Sequence, residues 1–331
     1  MNLLYSFTEN NIEYDKNMDI RSLKPDEKVD GKFVVKFKKP PEQYRKGVCF
    51  QLRLGGRDGE VMLKFWGPND AAAVQAFYDL IRKDCVVHVL GMASVYRDNL
   101  EISVNAFEGI RVCGPGEYDP KEFVEEAENI PGMFDELASY IDSVKDPWLR
   151  NILSAYFSDS SFIEEFKYGT AAMYKHHARR GGLLEHTLSV TRLCSMLCER
   201  YPKINRDIVL TGAILHDAGK VREFDITTNI KTSTEGMLVG HVVIGLEMFN
   251  ERTKGLDVPR ELLLKIRHII LSHHGELEYG SPKTPCFPEA MLVHYADSLD
   301  AAITQMLDHK ENPGTEDDYV YTKDFGNIYL R

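Results

Sequence analysis

Apolar and polar residues alternate over short stretches in the first third of the chain. Five segments have the alternation of half-buried strands: 31–39, 48–54, 60–65, 85–95 and 100–104. The apolar positions between Asn69 and Lys83 instead share one helical face. Pro40-Pro41 should end the first strand, because proline lacks the amide proton that a central strand donates. Three strands, a helix and two more strands predict a small five-stranded OB-type β-barrel.

Beyond Cys113-Gly-Pro-Gly116, apolar residues recur every three or four positions, which is typical of amphipathic helices. An acidic helical segment is predicted at 121–128. About seven further helices are predicted, at 134–144, 148–157, 184–200, 207–216, 239–252, 260–272 and 288–307. The sequence therefore predicts a multidomain, β plus α protein. Its parts are a leader at 1–20, the barrel at 21–113, a linker and helical lead-in at 114–160, an all-α bundle at 161–310 and a tail at 311–331.

Composition narrows the class of protein. The 331 residues are 43% hydrophobic and 27% charged, and no apolar run approaches the length of roughly 18 residues that a membrane span needs. The first residues lack the basic-then-apolar order of a signal peptide. Six cysteines without a CxxC pair do not form a disulfide framework. We expect a cytoplasmic protein with no membrane partner.

Charge is distributed unevenly along the chain. The net charge is −11, yet residues 21–113 hold 16 basic against 12 acidic side chains, whereas residues 114–331 hold 23 against 35. Cations interleaved with aromatic rings are what single-stranded nucleic acid requires, since phosphates and bases are bound separately. Phe50 and Phe65 are expected in the barrel core. The predicted contacts lie beside Pro40-Pro41 and after the third strand: Lys38, Lys39, Tyr44, Arg45 and Trp66.

The bundle carries a pattern of histidines and aspartates that suggests a metal. A lone histidine on an apolar helix face is usually a core residue, but the doublet His216-Asp217 changes this interpretation. Asp217 directly follows the apolar run 208–215, where an unpaired carboxylate would cost several kcal/mol and a cation would remove that cost. Asp297 lies in a similar apolar stretch, and Asp300, three residues later, is better suited to a salt bridge.

These residues resemble the HD superfamily of metal-dependent phosphohydrolases, whose pattern is H…HD…D. The matching positions are His186, His216-Asp217 and Asp297, within GGLLEHTLSV, ILHDAGK and LVHYADSLDA. The resemblance covers roughly residues 160–308. It implies that His241 and one of the adjacent His273 and His274 serve a second metal. Ligands without thiolate suit Mn²⁺, Co²⁺, Fe²⁺ or Zn²⁺, as one ion or two.

Other residues near this pattern are candidates for the chemistry. The expected nucleophile is a hydroxide that the metal activates, and Asp217 is the predicted catalytic residue that holds this metal. Lys220, one turn after the doublet, is predicted to hold a phosphate oxygen, with a solvated helix-end lysine as the alternative. His176, His177 and Arg180, before and in the loop that leads to His186, are predicted to contact substrate phosphate. The histidines could instead stabilise a helix C-terminus.

An OB-type barrel ahead of an HD domain resembles the bacterial YhaM-type 3′-to-5′ exoribonucleases. That resemblance implies metal-dependent removal of nucleotides from the 3′ end of single-stranded RNA, with some activity on single-stranded DNA, and Mn²⁺ or Co²⁺ as the favoured ion. Two alternatives stay open: a cyclic-nucleotide or nucleotide phosphohydrolase, and a nucleic-acid-binding factor without catalysis. The apolar surface of a helical domain also allows a homo-oligomer.

Overall fold

The computed structural model describes residues 19–97, 99–114, 116–173, 177–311 and 317–331. The chain divides into two compact units, the first ending at Glu125 and the second beginning at Glu126. This division lies beyond the predicted boundary at 113, because Phe123 is buried with Val34 and Val86 of the first unit. The predicted leader at 1–20 falls almost entirely outside the described residues.

The first unit is built on a six-stranded sheet. Its strands are Lys28–Tyr44 (β1), Gly47–Gly55 (β2), Glu60–Trp66 (β3), Val86–Tyr96 (β4), Asn99–Val104 (β5) and Ile110–Val112 (β6). Their order is β1-β2-β3-β5-β4-β6, and β1 also pairs with β4, which closes five strands into a ring. The β3–β5 pair is parallel and the other pairs are antiparallel. The predicted five-stranded OB-type barrel is thus confirmed, with β6 added beside β4.

A helix at Ala71–Leu80 (α1) connects β3 to β4. The side chain of Asp70 accepts a hydrogen bond from the amide of Ala73 at 3.0 Å, so the helix begins with the polar cap that its sequence favours. Its Phe77 packs against Phe50 and Phe65, whose rings stack with centroids 4.8 Å apart. Both stacked rings are buried, as predicted for the barrel core.

Strand β1 continues through Pro40-Pro41, where the sequence predicts its end. Residues 28–34 pair with β4, but beyond them β1 pairs with β2 alone among the described strands. The β1–β2 register also shifts between Lys39 and Glu42. The two prolines therefore lie at an irregularity on the open half of the strand, where their missing amide protons interrupt no ladder.

The second unit is helical. Its helices are Ile130–Ser143 (α2), Pro147–Phe157 (α3), Ser160–Tyr168 (α4), Gly182–Arg200 (α5), Arg206–Leu215 (α6), Lys220–Glu223 (α7), Thr234–Val239 (α8), His241–Thr253 (α9), Arg260–Ser272 (α10) and Pro288–Glu311 (α11). Two hairpins accompany them, Phe224–Ile226 (β7) with Ile230–Thr232 (β8) and Tyr319–Thr322 (β9) with Gly326–Tyr329 (β10). All seven helices predicted after residue 130 are present, and among the described residues α4 and the short helices α7 and α8 are additional.

The prediction of a helix at 121–128 is wrong. The structure has only a 3₁₀ turn at Pro120–Phe123, and Glu126 then forms an extended bridge with Arg180.

At the centre of the unit, every residue of α6 from Ile208 to Leu215 is buried. Because the end of α6 is buried, the residues that directly follow Leu215 also lie in the core. Among the described residues, no helix combines the length and apolarity that crossing a membrane requires.

Candidate metal centre and nucleic-acid interface

The doublet His216-Asp217 lies at the carboxyl end of the buried helix α6. His216 is the first residue after the helix and keeps helical backbone angles, so Asp217 follows it inward. Both side chains are almost completely excluded from solvent. The predicted apolar run therefore delivers an imidazole and a carboxylate to the middle of the bundle, as the metal interpretation requires.

Four predicted ligands from three helical segments meet at this point. The Nε2 atoms of His186 and His216 are 3.3 Å apart, and each lies 3.4 Å from Oδ2 of Asp217. Oδ1 of Asp297, on α11, is 3.1 Å from Nε2 of His186 and 3.9 Å from Nε2 of His216. These atoms form one compact donor group, here termed the first donor group.

A second donor group faces the other oxygen of Asp217. Oδ1 of this carboxylate lies 3.6 Å from Nε2 of His241 and 3.5 Å from Nε2 of His273. Nε2 of His274 is 3.3 Å from Nε2 of His241. All three histidines are close enough to share one ion. Asp217 therefore lies between the two donor groups and presents one oxygen to each.

Hydrogen bonds behind the rings determine which nitrogen faces inward. Nδ1 of His216 donates to the carbonyl of Ala213 at 2.7 Å, and Nδ1 of His273 donates to that of Ile270 at 2.8 Å. A carbonyl oxygen can only accept, so these rings carry their proton on Nδ1. Nε2 is then left with the lone pair that a metal ligand needs.

The other two rings are held by carboxylates. Nδ1 of His186 lies 2.7 Å from Oδ2 of Asp300, and Nδ1 of His241 lies 3.0 Å from Oε2 of Glu223. A carboxylate behind a ligating histidine fixes the ring and raises its basicity. Glu223 was not predicted, although its position six residues after Asp217 in the sequence is a usable signal. Asp300 makes the ion pair that its sequence position suggests.

Electrostatics favour the ionised carboxylate and a neutral imidazole. Burial alone would raise the pKa of Asp217, but the Lys220 ammonium and His216 hold it well below its usual value. Nζ of Lys220 lies 2.7 Å from Oδ2 of Asp217. Burial, together with His273 and His241, lowers the pKa of His274 to about 3. Burial also lowers the pKa of His273, so in the second donor group an anionic oxygen faces neutral imidazole at neutral pH, whereas the surrounding carboxylates raise the pKa of His186 in the first.

Two buried atoms indicate that this site binds a cation. Among the described residues, Oδ1 of Asp217 and Nε2 of His273 are buried and have no hydrogen-bond partner. Such atoms are costly unless something binds them, and an ion accepting both would remove that cost. Imidazole and carboxylate donors without thiolate fit a divalent metal of borderline hardness. The residues present therefore fit a divalent metal centre.

His177 does not take the position predicted for a phosphate contact. Its ring is buried, with Nδ1 2.9 Å from Oε2 of Glu185 and Nε2 3.1 Å from Oδ2 of Asp300. Both ring nitrogens thus face protein carboxylates, and Asp300 connects the ring to His186. The structure places His177 behind Asp300 and the proposed metal ligand His186, while its predicted companion His176 lies outside the described residues.

Arg180 is also engaged within the protein. Its guanidinium pairs with Glu126 and lies 4.0 Å from the centre of the Tyr168 ring, with only 14% of the side chain exposed. The predicted contact with substrate phosphate is therefore not supported by its placement. The charge holds the loop before α5 against the segment that leads into α2.

The barrel side chains fall into two sets. Lys38 differs from the prediction, because its ammonium donates to the carbonyls of Tyr78, at 2.7 Å, and Ile81. It therefore caps the carboxyl end of α1. Lys39 and Arg45 are exposed, with Lys39 3.4 Å from the carboxylate of Glu42.

Aromatic side chains form a half-buried platform beside these cations. The rings of Tyr44 and Trp66 meet edge to face, with centroids 5.0 Å apart. Nζ of Lys64 lies 4.2 Å from the centre of the Trp66 ring. We term Tyr44, Trp66 and Lys64 the aromatic platform of the barrel. Rings next to cations suit stacked bases and their phosphates.

Comparisons with known proteins agree with this arrangement of donor groups and show the family of the chain. A family model described as the HD domain matches residues 183–302, which include every proposed metal ligand. The 3′-5′ exoribonuclease YhaM of Shouchella clausii is 32% identical over 296 residues, covering 87% of this chain and 88% of the relative. The chain belongs to the YhaM family of 3′-5′ exoribonucleases.

A second YhaM exoribonuclease, from Listeria innocua, is 32% identical over 283 residues, covering 84% of this chain and 87% of the relative. Among solved structures, the HD domain of the Listeria monocytogenes phosphodiesterase PgpH is 19% identical. That match covers 50% of this chain and 80% of the other, with a TM-score of 0.29. The YhaM relatives span both units, so the family assignment rests on the barrel as well as on the HD domain.

Proposed function

We propose that the chain is a metal-dependent 3′-5′ exonuclease that hydrolyses phosphodiester bonds of single-stranded RNA, and of single-stranded DNA as a lesser substrate. The observation that carries the proposal is Asp217, whose two oxygens face two donor groups at 3.4–3.6 Å. A carboxylate shared in this way is suited to two ions. Membership of the YhaM family supports the polarity and the substrate.

His186, His216, Asp217 and Asp297 would hold one ion, and His241, His273, His274 and Asp217 a second. We propose Mn²⁺ as the working ion. The donors of both groups, which include no thiolate, suit Mn²⁺, Co²⁺, Fe²⁺ or Zn²⁺, and the resemblance to the YhaM-type enzymes favours Mn²⁺ among these. When bound, such an ion supplies a hydroxide near neutral pH and neutralises charge on the phosphate. The chain's own task is to hold the donors rigidly in place.

Lys220 is the proposed charged contact to the substrate. Only 9% of the residue is exposed, and its ammonium is fixed 2.7 Å from Oδ2 of Asp217, the oxygen that faces the first donor group. A cation held there in advance can bind a non-bridging phosphoryl oxygen without reorganising as charge develops. Asp217 therefore orients Lys220 as well as contributing to both donor groups.

The aromatic platform, with Lys39 and Arg45, is the proposed contact to the strand. A ring binds any base by its face, so Tyr44 and Trp66 bind without strong sequence preference. Lys64, Lys39 and Arg45 supply the charge that phosphates need. The local excess of basic residues in 21–113 supports this assignment.

The test is a time course with 5′-labelled single-stranded RNA and Mn²⁺. We expect a ladder that shortens from the 3′ end, absent in EDTA and for Asp217→Ala. Asp225→Ala is the matched control, because this nearby carboxylate is exposed and outside both donor groups. Full activity of Asp217→Ala would contradict the metal-centre assignment. Intact RNA that the wild-type chain still binds would favour a nucleotide phosphohydrolase instead.

A further inference from the structure

Helix α11 carries an exposed apolar row on the side away from the metal centre. Its members are spaced by four residues and are 39–63% exposed: Met291, Tyr295, Leu299, Ile303 and Leu307. Asp297 lies two residues before Leu299 and therefore points about 160° away from it around the helix. We term these five residues the α11 row.

The α11 row is free of charge. Between Met291 and Leu307 the helix has two charged residues, Asp297 and Asp300, and their side chains are only 13% and 8% exposed. A nucleic acid or an anionic membrane would need cations along such a face. A face of this composition is instead typical of a protein–protein contact.

We propose that the α11 row is a self-association surface, on which a second copy of this chain packs its own α11 in antiparallel orientation. The row is symmetric about Leu299, with two large apolar residues on either side. A two-fold axis at Leu299 places Tyr295 opposite Ile303, about 40° to either side of Leu299 around the helix. Met291 and Leu307 lie about 80° to either side and form the two edges of the contact. Rows with four-residue spacing are also the ridges that pack into the grooves of another helix.

The exposed area of the α11 row and the net charge of residues 114–331 both favour a second copy of the chain as the partner. Five large side chains at these exposures present at most on the order of 500 Å² per copy, or about 1,000 Å² in a symmetric pair, which is the size of a weak, concentration-dependent interface. Residues 114–331 are strongly acidic, so two copies would repel each other at most faces. An uncharged row lets two copies approach with the least repulsion. The contact would also support the helix that carries Asp297.

Light scattering on the full chain tests the proposal. We expect a concentration-dependent dimer, at twice the 37.8 kDa of one chain. Leu299→Asp places two carboxylates at the axis and should raise the dimer dissociation constant by at least about 100-fold. Leu264→Asp on α10 is the matched control, because Leu264 and Leu299 are both 49% exposed. Circular dichroism should show both variants folded, since neither leucine is buried.

Cross-linking gives a second measurement that does not depend on a disruptive variant. In a Cys286→Ser background, which removes an exposed thiol, Leu299→Cys should link to itself in a second copy through a short bis-maleimide. Leu264→Cys should not. A wild-type chain that stays monomeric, or a dimer unaffected by Leu299→Asp, would overturn the proposal. A link from position 299 to the barrel of its own chain would overturn it as well.

Discussion

At the metal centre, Nδ1 of each of four inward-facing histidines is engaged, and this sets the direction of Nε2. Two of the partners are backbone carbonyls three residues before the ring that they bind, Ala213 on α6 and Ile270 on α10. The other two are carboxylates, Asp300 and Glu223. Rings held from behind do not have to be ordered when an ion binds, so the donor groups are organised in advance.

His177 should affect metal binding without touching the metal. His177→Gln weakens the support of Asp300, which holds Nδ1 of His186, and we expect a 10- to 100-fold loss of Mn²⁺ affinity. Mn²⁺ titration followed by calorimetry measures it directly. His268→Gln, on α10, serves as the control and should leave the affinity unchanged, because its Nε2 accepts a hydrogen bond from the amide of Cys286 and contacts neither donor group. An unaltered affinity in His177→Gln would show that the ring has only a structural role.

Lys220 should have the opposite effect on binding and on catalysis. Lys220→Met removes a cation 2.7 Å from Oδ2 of Asp217, so Mn²⁺ should bind at least as tightly. Hydrolysis should fall by about 100-fold or more, because the charge held for the phosphate is gone. Kinetics at saturating Mn²⁺, together with the same titration, separate the two effects. A variant that keeps the wild-type kcat would exclude Lys220 as a catalytic residue.

How far these residues could be predicted depends on their distance along the chain. His216 and Asp217 are recognisable because a local apolar run implies burial. The role of His177 is not, since its partner Asp300 is 123 residues away and the neighbouring arginines suggest a phosphate loop. Arg180 is misleading for the same reason. Tertiary pairing with distant carboxylates decides what these charged residues do.

At the scale of elements, the position of α9 depends on a close backbone contact with the segment after α6. A Cβ on Gly219 would overlap the carbonyl oxygen of His241 and crowd the amide of Gly245. This approach brings the first residue of α9 beside Asp217. The second donor group therefore depends on glycine at position 219.

Gly219→Ala should displace the start of α9. We expect a loss of about 1–3 kcal/mol in the free energy of unfolding and weaker binding of the second ion, with the first ion retained. Metal analysis and denaturant unfolding measure the two effects. Gly245→Ala is the control from the other side of the contact, because its Cβ would meet neighbours at ordinary distances of 3.4–3.6 Å. Equal metal content in both variants would contradict this account.

Element boundaries show the same division between local and distant causes. The strands and six of the seven long helices follow from periodicity, because each buries one face, whereas α6 is buried all round and follows from its apolar run. The passage of β1 through Pro40-Pro41 does not, since it depends on which of its edges lacks a partner. The segment after Cys113 is likewise acidic enough to suggest a helix, yet Phe123 is drawn into the first unit and holds it as a turn.

For the molecule as a whole, the barrel segment and the rest of the chain carry opposite net charge, which suits them to strand binding and to hydrolysis respectively. The barrel segment has a local charge of +4 (16 basic against 12 acidic residues), whereas residues 114–331 have −12 (23 against 35). A polyanion should therefore bind the barrel, and under the proposed function the acidic unit would need metal ions and Lys220 to accept a phosphate. The net charge of −11 conceals this arrangement. Binding and hydrolysis should then respond to different substitutions.

Trp66→Ala tests that separation. Loss of one stacking ring should raise the dissociation constant for single-stranded RNA by about tenfold, measured with Asp217→Asn in the background to prevent cleavage. Lys64→Ala should weaken binding and reduce its dependence on salt by roughly one phosphate contact. Both single variants should hydrolyse bis(p-nitrophenyl) phosphate at the wild-type rate. Leu80→Ala, an exposed residue of α1, should alter neither property. If Trp66→Ala slowed the small substrate as much as it weakened RNA binding, the barrel would be part of the catalytic machinery rather than the holder of the strand.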